Sequence, residues 1–150
     1  MTEVAFHFNL PDKAGYLCRL LRKMNGRGAH AVVLADAAEL GRLDKLLWTF
    51  SPHDFLAHCR ADAKPEMLAS SPIVLADRLS AAPFDADRSP VLVNLALSVP
   101  DGFEKYERLI ELVGEDDEDR RQGRLRWKFY QDRGYPIQRH DLGGGVGVAA

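Results

Sequence analysis

Apolar and polar positions change rhythm several times along the chain, and each rhythm predicts an element. Val4, Phe6 and Phe8 alternate with Ala5, His7 and Asn9, the two-residue period of a strand. Pro11 stops it, and Asp12 offers a capping carboxylate to a helix. Leu17, Leu20, Leu21 and Met24 then recur at helical spacing, until Asn25-Gly26 and Gly28 end the helix. Residues 31–35 (AVVLA) are a continuous apolar run, as expected of a strand buried on both faces. Asp36 is placed to cap a second helix, striped by Leu40, Leu43, Leu46 and Leu47 and reaching about Trp48.

The second half continues the alternation. A short strand is predicted around Phe55 to His58, then a polar loop, then a buried strand over Ile73 to Ala76. Residues 80–90 read as an exposed loop, and Val91 to Leu97 (VLVNLAL) is the strongest strand signal of all. Pro100-Asp101-Gly102 is expected to turn into a helix from about Phe103 to Val113. Residues 115–119, all acidic, open a long helix to about Gly134, where negative charge at the N-terminus is favourable. Pro136 to Leu142 is predicted as a last strand, and 143–150 as a flexible tail. Strands alternating with helices imply an α/β fold: a single three-layer α/β/α domain over 1–142 with a mainly parallel sheet.

Composition narrows the function classes. The 150 residues suit one domain, and a net charge of -2 excludes the whole molecule as an electrostatic nucleic-acid binder. Cys18 and Cys59 form no CxxC pair and no disulfide framework, which fits a reducing compartment. The opening MTEVAFHFNLPDK lacks the pattern of a signal peptide, and no run approaches the roughly 18 apolar residues of a membrane span. The expected location is the cytoplasm.

This architecture often binds nucleotides, but no GxxxxGK[ST] or GxGxxG follows the first strand. The turn there is LPDKAG, where Pro11 removes a donor and Asp12 adds negative charge, a poor phosphate cradle. His53, His58 and Cys59 lie close together, but a zinc site needs three or four ligands, usually in two spaced pairs. They read as structural residues. No GxSxG or HExxH occurs. The expectation is a non-catalytic protein with no metal and no cofactor.

The informative segment is DRRQGRLRWKFYQDRGY, Asp119 to Tyr135. Six cations stand there against two carboxylates, a local charge of +4 on a chain of negative total charge. On a helical wheel Leu125 and Phe129 fall together as the expected core face. Trp127 points roughly opposite, bordering a stripe of Arg120, Arg124 and Lys128. Charge pattern alone fits two readings. One is a solvated basic face with Trp127 under a loop. The other is a binding site, in which arginine forks grip carboxylates and tryptophan supplies apolar area. Such a site suits an acidic peptide with an apolar end, or a nucleic-acid strand held by phosphate contacts and base stacking. Trp48, with Phe50, Pro52 and Phe55 after it, either plugs the end of the sheet or forms an apolar patch for a protein partner.

Three segments in order, VAFHFNL, LDKLLWTFSPHDFLAHC and DRRQGRLRWKFYQDRGY, give the chain a resemblance to the chi subunit family of bacterial DNA polymerase III. The resemblance runs from the first strand to about Leu142. It implies a nucleotide-binding-like fold that has lost its phosphate loop, with no intrinsic catalysis. It also implies two partners: the psi subunit of the clamp loader, and the acidic C-terminal tail of the single-stranded DNA-binding protein, which ends in phenylalanine. Carried over by position, Arg124 would be the main carboxylate clamp, with Arg120 and Lys128 adding charge. Trp127 would pack on the terminal phenylalanine and Val113 would line its pocket. Trp48, Pro52 and Phe55 would form a separate surface for psi or a helicase-like protein. The implied role is to link the clamp loader to coated single-stranded DNA; the rival is direct binding of single-stranded nucleic acid.

Overall fold

Seven strands, all parallel, form one sheet in the order β3-β4-β2-β5-β6-β1-β7. The computed structural model describes residues 2–49, 58–79 and 90–143. Within them β1 spans Glu3–Leu10, α1 Lys13–Gly26, β2 Ala31–Leu34, α2 Ala37–Thr49, β3 His58–Arg60 and α3 Pro65–Ser70. β4 is Ile73–Ala76, β5 Val91–Asn94, β6 Arg108–Gly114, α4 Asp117–Asp132 and β7 Ile137–Asp141. The α/β class and the parallel sheet are as the sequence predicts. Residues 50–57, 80–89 and 144–150 lie outside the description, and with them most of the strand predicted at 55–58, the loop at 80–90 and nearly all of the tail. The observed strand in that first region begins at His58.

Each face of the sheet has its own apolar layer. α1 and α2 cover one, packing Leu17, Leu21, Leu43 and Leu47 against Val33, Leu75, Val93 and Leu112. α4 covers the other with the connection that follows β5, around Val4, Phe6, Leu92, Phe103, Tyr106, Leu109 and Tyr130. Sheet positions alternate between the layers because successive side chains of a strand point to opposite faces. Caps close the helices where the sequence predicts: Asp12 Oδ1 accepts from the Gly15 N–H at 3.0 Å and Asp36 Oδ1 from the Glu39 N–H at 2.9 Å. Asp116 does the same for α4, accepting from the Asp119 N–H at 3.2 Å.

Several predictions fail for identifiable reasons, and the polar loop expected before Ile73 carries α3, with Pro65 at its start where a missing N–H costs nothing. The helix expected over 103–113 is instead a single 3-10 turn, Phe103–Lys105, followed by β6. Leu109, Leu112 and Val113 share a helical spacing, and charged Glu111 looks like a solvent position; in fact Glu111 is completely buried on the α4 face. The strand at Val91 ends at Asn94 rather than Leu97. The Asn94 side chain folds back on the chain, its Oδ1 accepting from the Ala96 N–H at 3.0 Å. Finally, Leu125 does not face the core: it is 54% exposed, and Phe129 is only half-buried. The buried stripe of α4 is Gly123, Arg126 and Tyr130.

Arg126 could not be read as a core residue because its partners come from elsewhere in the chain. Its Nε donates to Glu111 Oε1 at 2.9 Å and its Nη1 to the Leu97 carbonyl at 2.8 Å. Tyr130 Oη donates to Glu111 Oε2 at 2.5 Å, and Asn94 Nδ2 reaches both carboxylate oxygens at 2.9 and 3.1 Å. This network locks α4 onto β5 and β6. A second tie holds its N-terminus, where Asp119 accepts from the Gly114 N–H at 2.6 Å and pairs with Lys13 at 3.1 Å.

Candidate functional site: a cationic cleft over the first strand

α4 is the crossover between β6 and β7, which flank β1. It sits close to β6, because Gly123 lets its backbone approach Val113: a Cβ there would lie 3.0 and 3.2 Å from the two Val113 methyls. The ground over β1 toward β7 is left open. A cleft of about 630 Å³ lies there, lined by Phe6, Phe8, Asn9, Val113, Arg120, Gly123, Arg124, Trp127 and Arg139. It lies toward the carboxyl ends of parallel strands, where α/β sheets commonly hold ligands.

The floor is aromatic. Phe6 is buried, and the Trp127 ring packs on it with centroids 5.0 Å apart. Trp127 is therefore half in the core and half in the cleft, rather than turned away from the core as the wheel suggests. The walls are cationic. Arg120 and Arg124 come from α4, and Arg139 comes from β7, its guanidinium 5.6 Å from the Phe8 centroid and 5.7 Å from that of Trp127. Among the described residues no carboxylate lies within ion-pair distance of these three guanidiniums. Arg120 Nε is moreover buried with no hydrogen-bond partner. Unpaired cations above a ring-lined floor can hold a carboxylate beside an apolar group.

Four of the five residues predicted for a peptide site thus meet in one cleft: Val113, Arg120, Arg124 and Trp127. Lys128 is exposed on α4 and does not line it. Phe6, Phe8, Asn9, Gly123 and Arg139 join the site unannounced. The parity of the first strand was a usable signal for Phe6 and Phe8, since both share the face of Val4. Nothing local marks Arg139, which reaches the cleft only because β7 pairs with β1, placing it in register with Phe6.

The other candidates resolve differently. Trp48, near the end of α2, is 56% exposed and its ring lies 4.8 Å from that of His58. Pro52, His53 and Phe55 fall outside the described residues, so the second surface is placed only through Trp48. His58 is buried, its Nε2 2.8 Å from Asp44 Oδ1, a structural tie between β3 and α2. Cys18 and Cys59 are both buried and free, and burial pushes the Cys18 thiol up to about 11. Among the described residues no group of three or more potential ligands could hold a metal, and no helix is long and apolar enough to cross a membrane.

The sequence profile described as "DNA polymerase III chi subunit, HolC" matches residues 1–138, which takes in the sheet up to the start of β7 and every residue of the cleft except Arg139. The chain belongs to the DNA polymerase III chi subunit family. A curated relative, "DNA polymerase III subunit chi" of Pseudomonas aeruginosa strain PAO1, is 32% identical over 126 residues, covering 83% of each chain. Membership carries an accessory role in the replication machinery.

Proposed function

We propose that this protein is a non-catalytic linker that joins the polymerase III clamp loader to single-stranded DNA-binding protein by capturing the latter's acidic C-terminal tail in the cleft. The observation that carries the reading is the set of three unpaired guanidiniums around a floor of Phe6, Phe8 and Trp127. The terminal carboxylate sits on the Arg124 fork, with the Arg120 guanidinium beside it. The terminal ring packs on Trp127 and Val113. Lys128, exposed one turn along α4 from Arg124, adds to the field that steers the tail inward. One tail binds modestly, and many tails on a coated strand raise the effective concentration. On this reading the surface around Trp48, with Pro52 and Phe55, takes psi or a helicase-like partner, and the protein works in the cytoplasm.

Direct binding of single-stranded nucleic acid fits less well. The three arginines gather at one cleft of about 630 Å³, whereas strand binding calls for a basic groove that tracks the backbone. The test is fluorescence anisotropy with a labelled acidic peptide ending in phenylalanine. Arg124→Gln should weaken binding by about 1.5–3 kcal/mol, the worth of a charge-assisted hydrogen bond, and affinity should fall as salt rises. Equal binding by parent and variant overturns the assignment, and tighter binding of a bare oligonucleotide than of the peptide favours the rival.

A further inference from the structure

The arginines of the cleft stand on two different walls. Arg120 and Arg124 belong to α4, on the β6 side; Arg139 belongs to β7, the edge strand on the far side of β1. The α4 side is closed, because Gly123 is seated on Val113 and the helix is held by the Glu111–Arg126 pair. A peptide whose last residue lies on Trp127 and whose chain runs over the open ground toward β7 passes Arg139 with its upstream residues.

We propose that Arg139 is a second, separate carboxylate clamp. It reads an acidic side chain upstream of the terminal residue, while Arg124 and Arg120 take the terminal carboxylate. The guanidinium lies over the Phe8 and Trp127 rings, 5.6 and 5.7 Å from their centroids, which holds its fork at the cleft. The nearby carboxylate on the same strand face is Asp141. Its hydrogen bonds go elsewhere: it accepts from Asn9 Nδ2 at 2.8 Å and from the Gly143 N–H at 2.9 Å, and Arg139 acts on it only through its charge, as the least of the influences that hold its carboxyl below the usual value. Two clamps separated by the width of β1 make the cleft selective for a chain with two negative charges, one at its end and one upstream. A lone terminal carboxylate satisfies only the α4 wall.

The proposal rests on the acidic-peptide reading of the cleft, and a peptide-by-variant cycle separates the two. Three labelled probes are compared: four aspartates followed by a terminal phenylalanine; the same with asparagines for aspartates; and the aspartate probe with an amidated end. Arg139→Gln should weaken the aspartate probe by about threefold or more and leave the asparagine probe within experimental error. Arg124→Gln should weaken both, and its effect should vanish on the amidated probe. Arg139 is exposed, so Arg139→Gln should keep the parent's melting temperature. Equal loss on the aspartate and asparagine probes, or no loss on either, overturns the second clamp while leaving the first intact. Failure of the parent to bind the aspartate probe overturns the peptide reading and this inference with it.

Discussion

Arg126→Met strips the buried Glu111 carboxylate of its cation. Both side chains are essentially inaccessible to water, at 2% and 0% exposure. The substitution removes the 2.9 Å bond to Glu111 and the 2.8 Å bond to the Leu97 carbonyl, leaving Tyr130 and Asn94 as donors to the carboxylate. Breaking a buried pair from one side costs about 3–5 kcal/mol. Part of this is offset, because Arg126 Nη2 is itself buried without a partner and its desolvation cost disappears. The expected net loss is about 2–4 kcal/mol, a large share of the 5–15 kcal/mol typical of a domain. Tyr130→Phe, which removes one charge-assisted bond, should lose about 1.5–3 kcal/mol. The double variant Glu111→Leu/Arg126→Met should recover to within about 1 kcal/mol of the parent, since no buried charge remains.

Urea unfolding at pH 7 measures all three, and pH adds an internal check. Burial pushes the Glu111 carboxyl above its ordinary 4.5, against the pull of Arg126 and the hydrogen bonds from Tyr130 and Asn94. Removing Arg126 raises it further. A carboxyl raised in the folded state gives stability that is fully present below the unfolded value and lost as pH rises through the folded one. The deficit of Arg126→Met relative to the parent should therefore shrink as pH is lowered from 7 toward 5. A loss under about 1 kcal/mol at pH 7, together with a double variant weaker than the single, would refute the pairing described here.

The remaining predictions concern the cleft and the opposite face of β1. Gly123→Ala places a methyl 3.0 and 3.2 Å from the Val113 methyls, so α4 must lift by a few tenths of an ångström. Overpacking of about 1–3 kcal/mol is partly offset by about 1 kcal/mol of helix propensity. Thermal melting should therefore move little while peptide anisotropy shows weaker binding; unchanged binding would mean that the spacing of the walls does not matter. His7 sits against Tyr16 and His140, and burial, aided by the charges of His140, Arg108 and Lys23, lowers its value from 6.5 to about 4. A histidine depressed in the folded state gives stability present above pH 6.5 and lost as pH falls toward 4. After allowance for its partial exposure the loss is about 1 kcal/mol. Denaturant midpoints of the parent should fall over that window, and those of His7→Gln should fall less; parallel curves would refute the assignment.

How much of this was legible beforehand depended on whether the deciding partner was local. The caps Asp12 and Asp36 bond to N–H groups three residues on, so a short window sufficed to predict them. The runs AVVLA and IVLA were legible because strands covered on both faces need apolar side chains throughout. β6 was misread because its periodicity was ambiguous and its one buried charge, Glu111, is met by Arg126 and Tyr130, 15 and 19 positions away in α4. The same cause reversed the wheel of α4. Leu125 reads as inward on hydrophobicity and Arg126 counts only as one of six cations, although a buried carboxylate makes Arg126 the better core residue. The basic stripe was still identified, since Arg120, Arg124 and Trp127 share a flank of the helix whichever neighbouring face is buried.

The sequence by itself determined the class of fold, the helix caps, the missing phosphate loop and the family, because each follows from local pattern or from residues in order. Only the tertiary structure decided that α4 presents Arg126 and Tyr130 to the sheet, and that the cleft has a floor of Phe6 and Phe8 and a second wall at Arg139. Sheet order brings β7 beside β1, more than a hundred residues away along the chain. Long-range pairing of this kind follows from the packing of the whole sheet and leaves no mark in any short stretch of residues.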